Sequence, residues 1–296
     1  MYALVEFLFG GVNIMRIENV DWQLTSRCNR MCPYCFGPAD INDLPLSDVK
    51  SIVDTLTKMG VKQIGLTGGE PLLYPHIAEL IEYIVDNGIH IYLSSNCDYY
   101  SEFARLIKEK VSILGVPLDG ASAVTHDSIR GVGSFQSITS AIADISRSSC
   151  NTKVKVGTVL LNSNASELAN IEKVLFPYRE KILYWKIYEL IIYSKNRATA
   201  TPLQTPYVCG QHDLGQYVGA HKIVFDTIEE RDRSYFFIKP NGDVFIPCLN
   251  HHESSEKDIG TILGGNIENT VRTFDEIVNR SGYNKEFRYM KNPNGR

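Results

Sequence analysis

The sequence predicts an α/β chain built as a partial (β/α)6 TIM-like barrel with a C-terminal β-hairpin extension. Two observations carry that expectation. Short apolar strands alternate with amphipathic helices at a spacing of roughly thirty residues, the pattern of right-handed βαβ units on a parallel sheet. After residue 190 the alternation stops and a turn-centred hairpin pattern takes over.

The elements follow in order. Residues 20–25 (VDWQLT) read as the first strand. Residues 47–59 read as a helix, with Ser47 at the cap and apolar side chains at Val49, Ile52, Val53, Leu56 and Met59, every third or fourth position. Gly60 is placed to close it in a left-handed conformation. A strand at 63–66 and a helix at 77–85, ended by Asn87-Gly88, come next. Then follow strand 89–94 and helix 100–108, strand 111–118 and helix 134–145 with Ser134 at its cap, and strand 153–161 and helix 166–175. Residues 182–188 make the sixth strand. This sets a core of 19–190 between an N-terminal extension, 1–18, and a C-terminal extension, 191–296, that completes or covers the barrel. Within the last, 193–207 reads as a loop and 235–246 as a hairpin around Pro240-Asn241-Gly242-Asp243. The polar tail begins at Gly282.

Composition narrows the class. A chain of 296 residues can bury ~75% of the surface its unfolded form exposes, so its core needs no staples. With 44% hydrophobic and 22% charged residues it is neither disordered, collagen-like nor a coiled coil. Thirty basic against 34 acidic residues leave a net charge of −4, so no nucleic-acid partner is expected. No run of eighteen apolar residues exists, and no membrane span is expected. Residues 1–15 are apolar but lack the basic region of a signal peptide, the first basic residue being Arg16; they read as an extra strand or an upstream start. Seven cysteines, an odd number, argue against a disulfide framework and for a cytoplasmic chain.

The chemistry sits after the first strand, in Cys28-Asn29-Arg30-Met31-Cys32-Pro33-Tyr34-Cys35. Three thiols spaced C-x3-C-x2-C on one loop suit an iron–sulfur cluster, zinc, or buried thiols. Structural zinc wants four closed ligands, and no fourth cysteine lies near. Three ligands on a four-iron cluster leave one iron open. The second strand ends Thr67-Gly68-Gly69-Glu70-Pro71, where two glycines expose bare backbone and Glu70 suits an ammonium group. Strand ends one and two are neighbours in a barrel, and strand C-termini are where such folds place chemistry.

These two motifs, CNRMCPYC and TGGEP, resemble those of the radical S-adenosylmethionine (SAM) superfamily over roughly residues 20–188. The resemblance implies that Cys28, Cys32 and Cys35 hold one [4Fe-4S] cluster whose fourth iron is chelated by SAM. It implies reductive cleavage of SAM to a 5′-deoxyadenosyl radical that abstracts hydrogen from a substrate, with electrons from a reductase such as flavodoxin or ferredoxin. It implies further that Tyr34 lies by the adenine and that Gly68, Gly69 and Glu70 bind the methionine amino group. Ser94-Ser95-Asn96, at the end of the third strand, match small polar residues near SAM, Ser94 and Asn96 foremost, or are an ordinary polar strand end. The fourth strand ends Val116-Pro117-Leu118-Asp119-Gly120, where relatives commonly carry a serine at the position of Pro117. Its contact is lost or passes to Asp119. Arg130 matches an arginine that pairs with the SAM carboxylate in several relatives, or is a surface residue. Gly157-Thr158 on the fifth strand and Trp185-Lys186-Ile187-Tyr188 on the sixth frame the adenine or the substrate, or belong to the core.

Only Cys209 and Cys248 lie beyond residue 190, too few for an auxiliary cluster. Cys248 is a candidate hydrogen-atom donor, or a buried thiol. His251-His252 read as loop residues, since adjacent side chains in a strand face apart. Residues 229–233, of mixed charge, read as solvated surface. The expected substrate is a ribosomally made peptide or other natural-product precursor. The alternative is a nucleotide or other small molecule, as in viperin-like enzymes, with phosphates facing some of Lys153, Lys155, Lys173, Lys186 and Lys195. A non-catalytic zinc or iron–sulfur module is the rival from another class.

Overall fold

The computed structural model describes residues 16–38, 40–205, 223–264, 267–280 and 283. Cys209, the N-terminal fifteen residues and nearly all of the tail lie outside these. Seven parallel strands run β1 (Asn19–Thr25), β2 (Gln63–Gly68), β3 (His90–Ser94), β4 (Ile113–Pro117), β5 (Lys153–Val159), β6 (Ile182–Tyr188) and β7 (Ile223–Asp226). Helices α1 (Leu46–Lys58), α2 (Ile77–Asp86), α3 (Tyr100–Lys110), α5 (Ser134–Arg147) and α6 (Leu168–Leu175) cover their outer face, whereas α4 (Ala123–Arg130) packs its Ile129 in a separate cluster with Tyr34. Three more strands, β8 (Phe237–Ile238), β9 (Asp243–Cys248) and β10 (Ser255–Thr261), precede helix α7 (Ile267–Ile277). The sheet order is β10-β9-β8-β1-β2-β3-β4-β5-β6-β7, and the sheet is not closed. The expected hairpin, β8–β9, is antiparallel with Gly242 at φ 87°, and it extends the sheet on the β1 side.

Strand alternation sorts the residues. Val20, Trp22, Leu24, Ile64, Leu66, Leu114, Val154, Val156, Trp185 and Ile187 point outward and are buried against helix faces such as Val49, Ile52, Val53 and Leu56 of α1. At ~25 cal/mol per Å2 of apolar surface, this layer supplies most of the drive to fold. The inner face is different. Asp21, Gln23, Tyr92, Lys155, Lys186 and Tyr188 alternate with the outward apolar set. Parallel strands buried on both faces normally read as continuous apolar runs, so this polar lining marks the interior as a working surface.

Several expectations are corrected. Helix α1 is capped by extended Pro45, with Ser47 already helical. Helix α5 is capped by left-handed Gly133, not Ser134; Asp127 accepts from Gly133 N and Phe135 N, both at 2.8 Å, and so closes the free amides at its start. Helices α4 and α7 and strands β7 and β10 were not expected. Among the described residues no helix is long and apolar enough to cross a membrane.

Candidate active site

The cysteine loop leaves the end of β1. Cys28 and Cys35 are exposed and Cys32 is half-buried. Arg30 N donates to Cys28 Sγ at 3.4 Å, Gly37 N to Cys35 Sγ at 3.3 Å, and Arg130 Nη1 to Cys32 Sγ at 3.9 Å. Burial pushes the Cys28 and Cys32 thiols up, and the Arg130 charge pulls Cys32 back. Among the described residues only Glu189, Glu229 and His251 bring three candidate ligand atoms within 4.8 Å of one another. Cys28, Cys32 and Cys35 do not bring all three sulfurs within that distance of one another. Three thiols on one loop suit a cluster that leaves one iron open better than the closed four-ligand set of structural zinc.

The glycines after β2 fit this loop against the sheet. Gly68 has φ 125°, and a Cβ on Gly69 would collide with the Arg27 carbonyl. Gly69 N donates to Thr25 O at 2.7 Å and Glu70 N to Arg27 O at 2.8 Å. The close approach they permit is therefore made by the cysteine loop itself. Glu70 is fully buried. Its carboxylate accepts from Leu72 N (3.1 Å), Ser95 Oγ (2.9 Å) and Asn96 N (2.7 Å), tying the end of β2 to the end of β3. Burial pushes it up to about 7 against those three donors. Ser94 is half-buried and pairs with Gly115; of the polar strand end Ser94-Ser95-Asn96 it is Ser95 whose side chain makes the bond to Glu70. Asn96 Nδ2 donates to Asn29 Oδ1 of the cysteine loop at 2.9 Å.

Asp119, after β4, is fully buried and accepts from Tyr34 OH, Arg130 Nε and Val159 N. The Arg130 guanidinium lies 5.3 Å from the Tyr34 ring centroid. Arg130 is thus no surface residue: its side chain is 15% exposed. His126 holds the Asp119 backbone, its Nδ1 accepting from Asp119 N at 3.0 Å while Nε2 lies 3.0 Å from Ser134 Oγ. Burial pulls His126 down to about 4, so it is a neutral strut.

Inside the barrel, Lys155 Nζ reaches Tyr92 OH at 3.1 Å and also Tyr188 OH. Tyr92 crosses the space above Gly115, where a side chain would strike its ring. Lys186 Nζ pairs with Asp226 Oδ2 at 2.6 Å, and Arg231 Nε lies 3.6 Å from the same oxygen. Lys155, Lys186 and Arg231 stand 5.1, 4.9 and 5.2 Å from the Tyr188 ring centroid. Of the five lysines considered from sequence, Lys155 and Lys186 converge here, while Lys153 and Lys173 are exposed. Arg231, taken from sequence as solvated, is buried. Trp185 belongs to the core, its Nε1 donating to Thr158 Oγ1 at 2.9 Å.

Cys248 is not brought to this site. It ends β9 on the side of Val244 and Ile246, which belong to the helix-covered core. The opposite face carries Phe245, stacked on Phe237 at 5.1 Å, and Phe237 meets Phe36 of the cysteine loop edge-on at 6.1 Å. His251 is an exposed loop residue bonded to Glu229.

A family model described as the radical SAM superfamily matches residues 22–175. The chain belongs to the radical SAM superfamily. Radical SAM enzymes use a [4Fe-4S] cluster and SAM, and this chain is an enzyme of that family. An S-adenosylmethionine-dependent nucleotide dehydratase of Selenomonas ruminantium is 26% identical over 280 residues, covering 89% of this chain and 98% of the dehydratase. The mycofactocin maturase MftC of Mycobacterium tuberculosis is 32% identical over 152 residues, 50% of this chain but 39% of the maturase. Among solved radical SAM structures, Streptococcus suis SuiB bound to SAM matches with a TM-score of 0.65 at 16% identity, over 83% of this chain and 64% of SuiB. Native anSMEcpe, with bound AdoMet and Cp18Cys peptide, matches with a TM-score of 0.63 at 13% identity, over 89% of this chain and 83% of that one. At these identities the two structures speak for the fold.

Proposed function

We propose that this radical SAM enzyme acts on a small anionic molecule of the nucleotide class drawn into the barrel. One observation carries the reading: Lys155, Lys186 and Arg231, all buried, surround the Tyr188 ring on the inner wall. Phosphate oxygens are recognised by such cations through charge-assisted bonds, and an aromatic face beside them offers a base or sugar its apolar contact. The nearly full-length likeness to a nucleotide dehydratase supports it. A peptide substrate, favoured from sequence alone, is supported by likeness over half the chain.

In this reading Cys28, Cys32 and Cys35 hold the cluster. The chemistry it supplies, with SAM bound, is one-electron cleavage of the sulfonium to a 5′-deoxyadenosyl radical that takes hydrogen from the substrate. Arg130, braced by Asp119, receives the SAM carboxylate, and Tyr34 flanks the adenine. Glu70 acts by holding the ends of β2 and β3, leaving the Gly68–Gly69 backbone and Asn96 to receive the methionine amino group. Ser94 lines the same rim. Residues beyond 190 serve as a cover, and the electron donor is a flavodoxin or ferredoxin. Cys248, on the outer face, is assigned no hydrogen-donor role.

The test is anaerobic reconstitution, then SAM and dithionite with each ribonucleoside triphosphate or with candidate precursor peptides. A triphosphate should raise 5′-deoxyadenosine formation by about tenfold or more, the differential a bound substrate commonly commands. Stimulation by a peptide and by no triphosphate would sink the nucleotide reading.

A further inference from the structure

The half of the cysteine loop that carries the third cysteine is held from outside by one short stretch of chain. Thr199 Oγ1 donates to the Pro33 carbonyl. Asn196 Nδ2 donates to Tyr34 O at 3.1 Å and Cys35 O at 3.3 Å. Lys195 Nζ donates to Phe36 O at 2.5 Å and Gly37 O at 2.8 Å. Five consecutive carbonyls, residues 33 to 37, therefore end on three side chains between residues 195 and 199.

Asn196 is the buried member, 6% exposed. Its Oδ1 accepts from Tyr193 N at 2.8 Å, which fixes the amide with nitrogen toward the loop. The stretch is itself anchored. Tyr193 stacks on Phe36 at 5.9 Å, and Ile192 O accepts from Ser254 N at 2.7 Å beside the start of β10. Loop carbonyls bonded in series fix the backbone dihedrals between them, and with these the directions of the Cys35 sulfur and the Tyr34 ring. The stretch also continues directly from β6, whose Lys186 and Tyr188 line the interior, so substrate wall and cysteine loop share one covalent element.

We propose that residues 192–199 form a strap that sets the cluster-binding conformation of the cysteine loop, with Asn196 as its positioning residue. This rests on the assignment of Cys28, Cys32 and Cys35 as cluster ligands. The decisive variant is Asn196→Asp, which keeps the size and the acceptor for Tyr193 N but cannot donate to the two carbonyls. Asn196→Ala removes both. Asn87→Ala, which deletes a comparable amide-to-carbonyl bond to Tyr83 O at 2.9 Å on α2, is the control.

The 296-residue chain and its variants are reconstituted anaerobically, and iron per chain, the rate of iron loss to a chelator and the melting temperature of the apo-proteins are measured. The two Asn196 variants should lose iron about tenfold faster than the parent, as outer-shell substitutions do in other metal sites. Their apo-proteins should melt close to the parent, and Asn87→Ala should keep its iron. If Asn196→Asp does not fold, exposed Lys195→Met carries the test and must also hasten iron loss. Parent-like iron retention in the Asn196 variants overturns the strap while leaving the cysteine assignment standing. A parent that takes up no iron overturns the cysteine assignment, and the strap with it.

Discussion

Arg30 and Asp98 meet as a two-pronged ion pair, Nε on Oδ2 at 2.6 Å and Nη2 on Oδ1 at 2.5 Å. Arg30 belongs to the cysteine loop and Asp98 to the segment after β3. The remaining nitrogen, Nη1, donates to Arg130 O at 3.1 Å and Gly131 O at 2.9 Å. Asn29 Nδ2 and Ser137 Oγ add further bonds to the same carboxylate. One half-buried fork thus sets the first half of the loop, the end of β3 and the turn bearing Arg130 relative to one another.

Asp98→Asn should therefore weaken SAM binding and iron retention together, by about tenfold each. Arg30→Lys should not substitute for arginine, because an ammonium cannot form the fork. Iron analysis with SAM titration calorimetry checks both, and a lysine variant matching the parent would contradict the argument.

Arg130 and Asp119 should behave as a coupled buried pair. Removing Arg130 alone leaves a fully buried carboxylate beside Tyr34, and about 3–5 kcal/mol of stability should be lost. The double variant Arg130→Ala with Asp119→Ala should lose less than the two single losses summed. Denaturant unfolding of the apo-proteins measures the cycle; simple additivity would separate the two residues.

Glu70 predicts a pH dependence of definite sign. Burial raises it from 4.5 to about 7. Between those values the folded chain keeps a proton that the unfolded chain has released. Its contribution to stability is full below 4.5 and is lost as pH rises through 7, with a slope of up to about 1.4 kcal/mol per pH unit. Glu70→Gln should flatten that part of the profile. Denaturant midpoints of the apo-proteins from pH 5 to 8 decide it, and equal slopes would refute the assignment.

Lys155→Met should raise the KM for the anionic substrate by about tenfold, the worth of one charge-assisted bond, with a smaller effect on kcat. A fall confined to kcat would move Lys155 from binding to another role.

The parallel core was legible in the sequence because its outer face follows helix and strand periodicity without conflict, from Val49, Ile52, Val53 and Leu56 on α1 to Trp185 and Ile187 on β6. The cysteine loop and the Gly-Gly-Glu turn were legible because residue type and spacing are both constrained there. The interior was less so. Lys155 and Lys186 sit in the alternating strings KVKVGTV and ILYWKIY, whose period of two announces an inward polar row. No local pattern says that β5 and β6 bring them around one ring. Arg231 was missed because a mixed-charge run normally faces water, and here a single helical turn after β7 carries it inside. Asn196 and Asp98 carried no signal, since their partners lie 161 and 68 positions away.

The neighbour relation of β8 and β1 has a bearing on biosynthesis. Asp21 pairs with Phe237, so among the described residues the strand that covers this side of β1 is made more than two hundred residues after it. At 5–20 residues per second that is on the order of tens of seconds on the ribosome. The nascent barrel spends that interval without the β8 pairing, and a strand edge lacking its partner is a template for misassembly that chaperones are suited to shield.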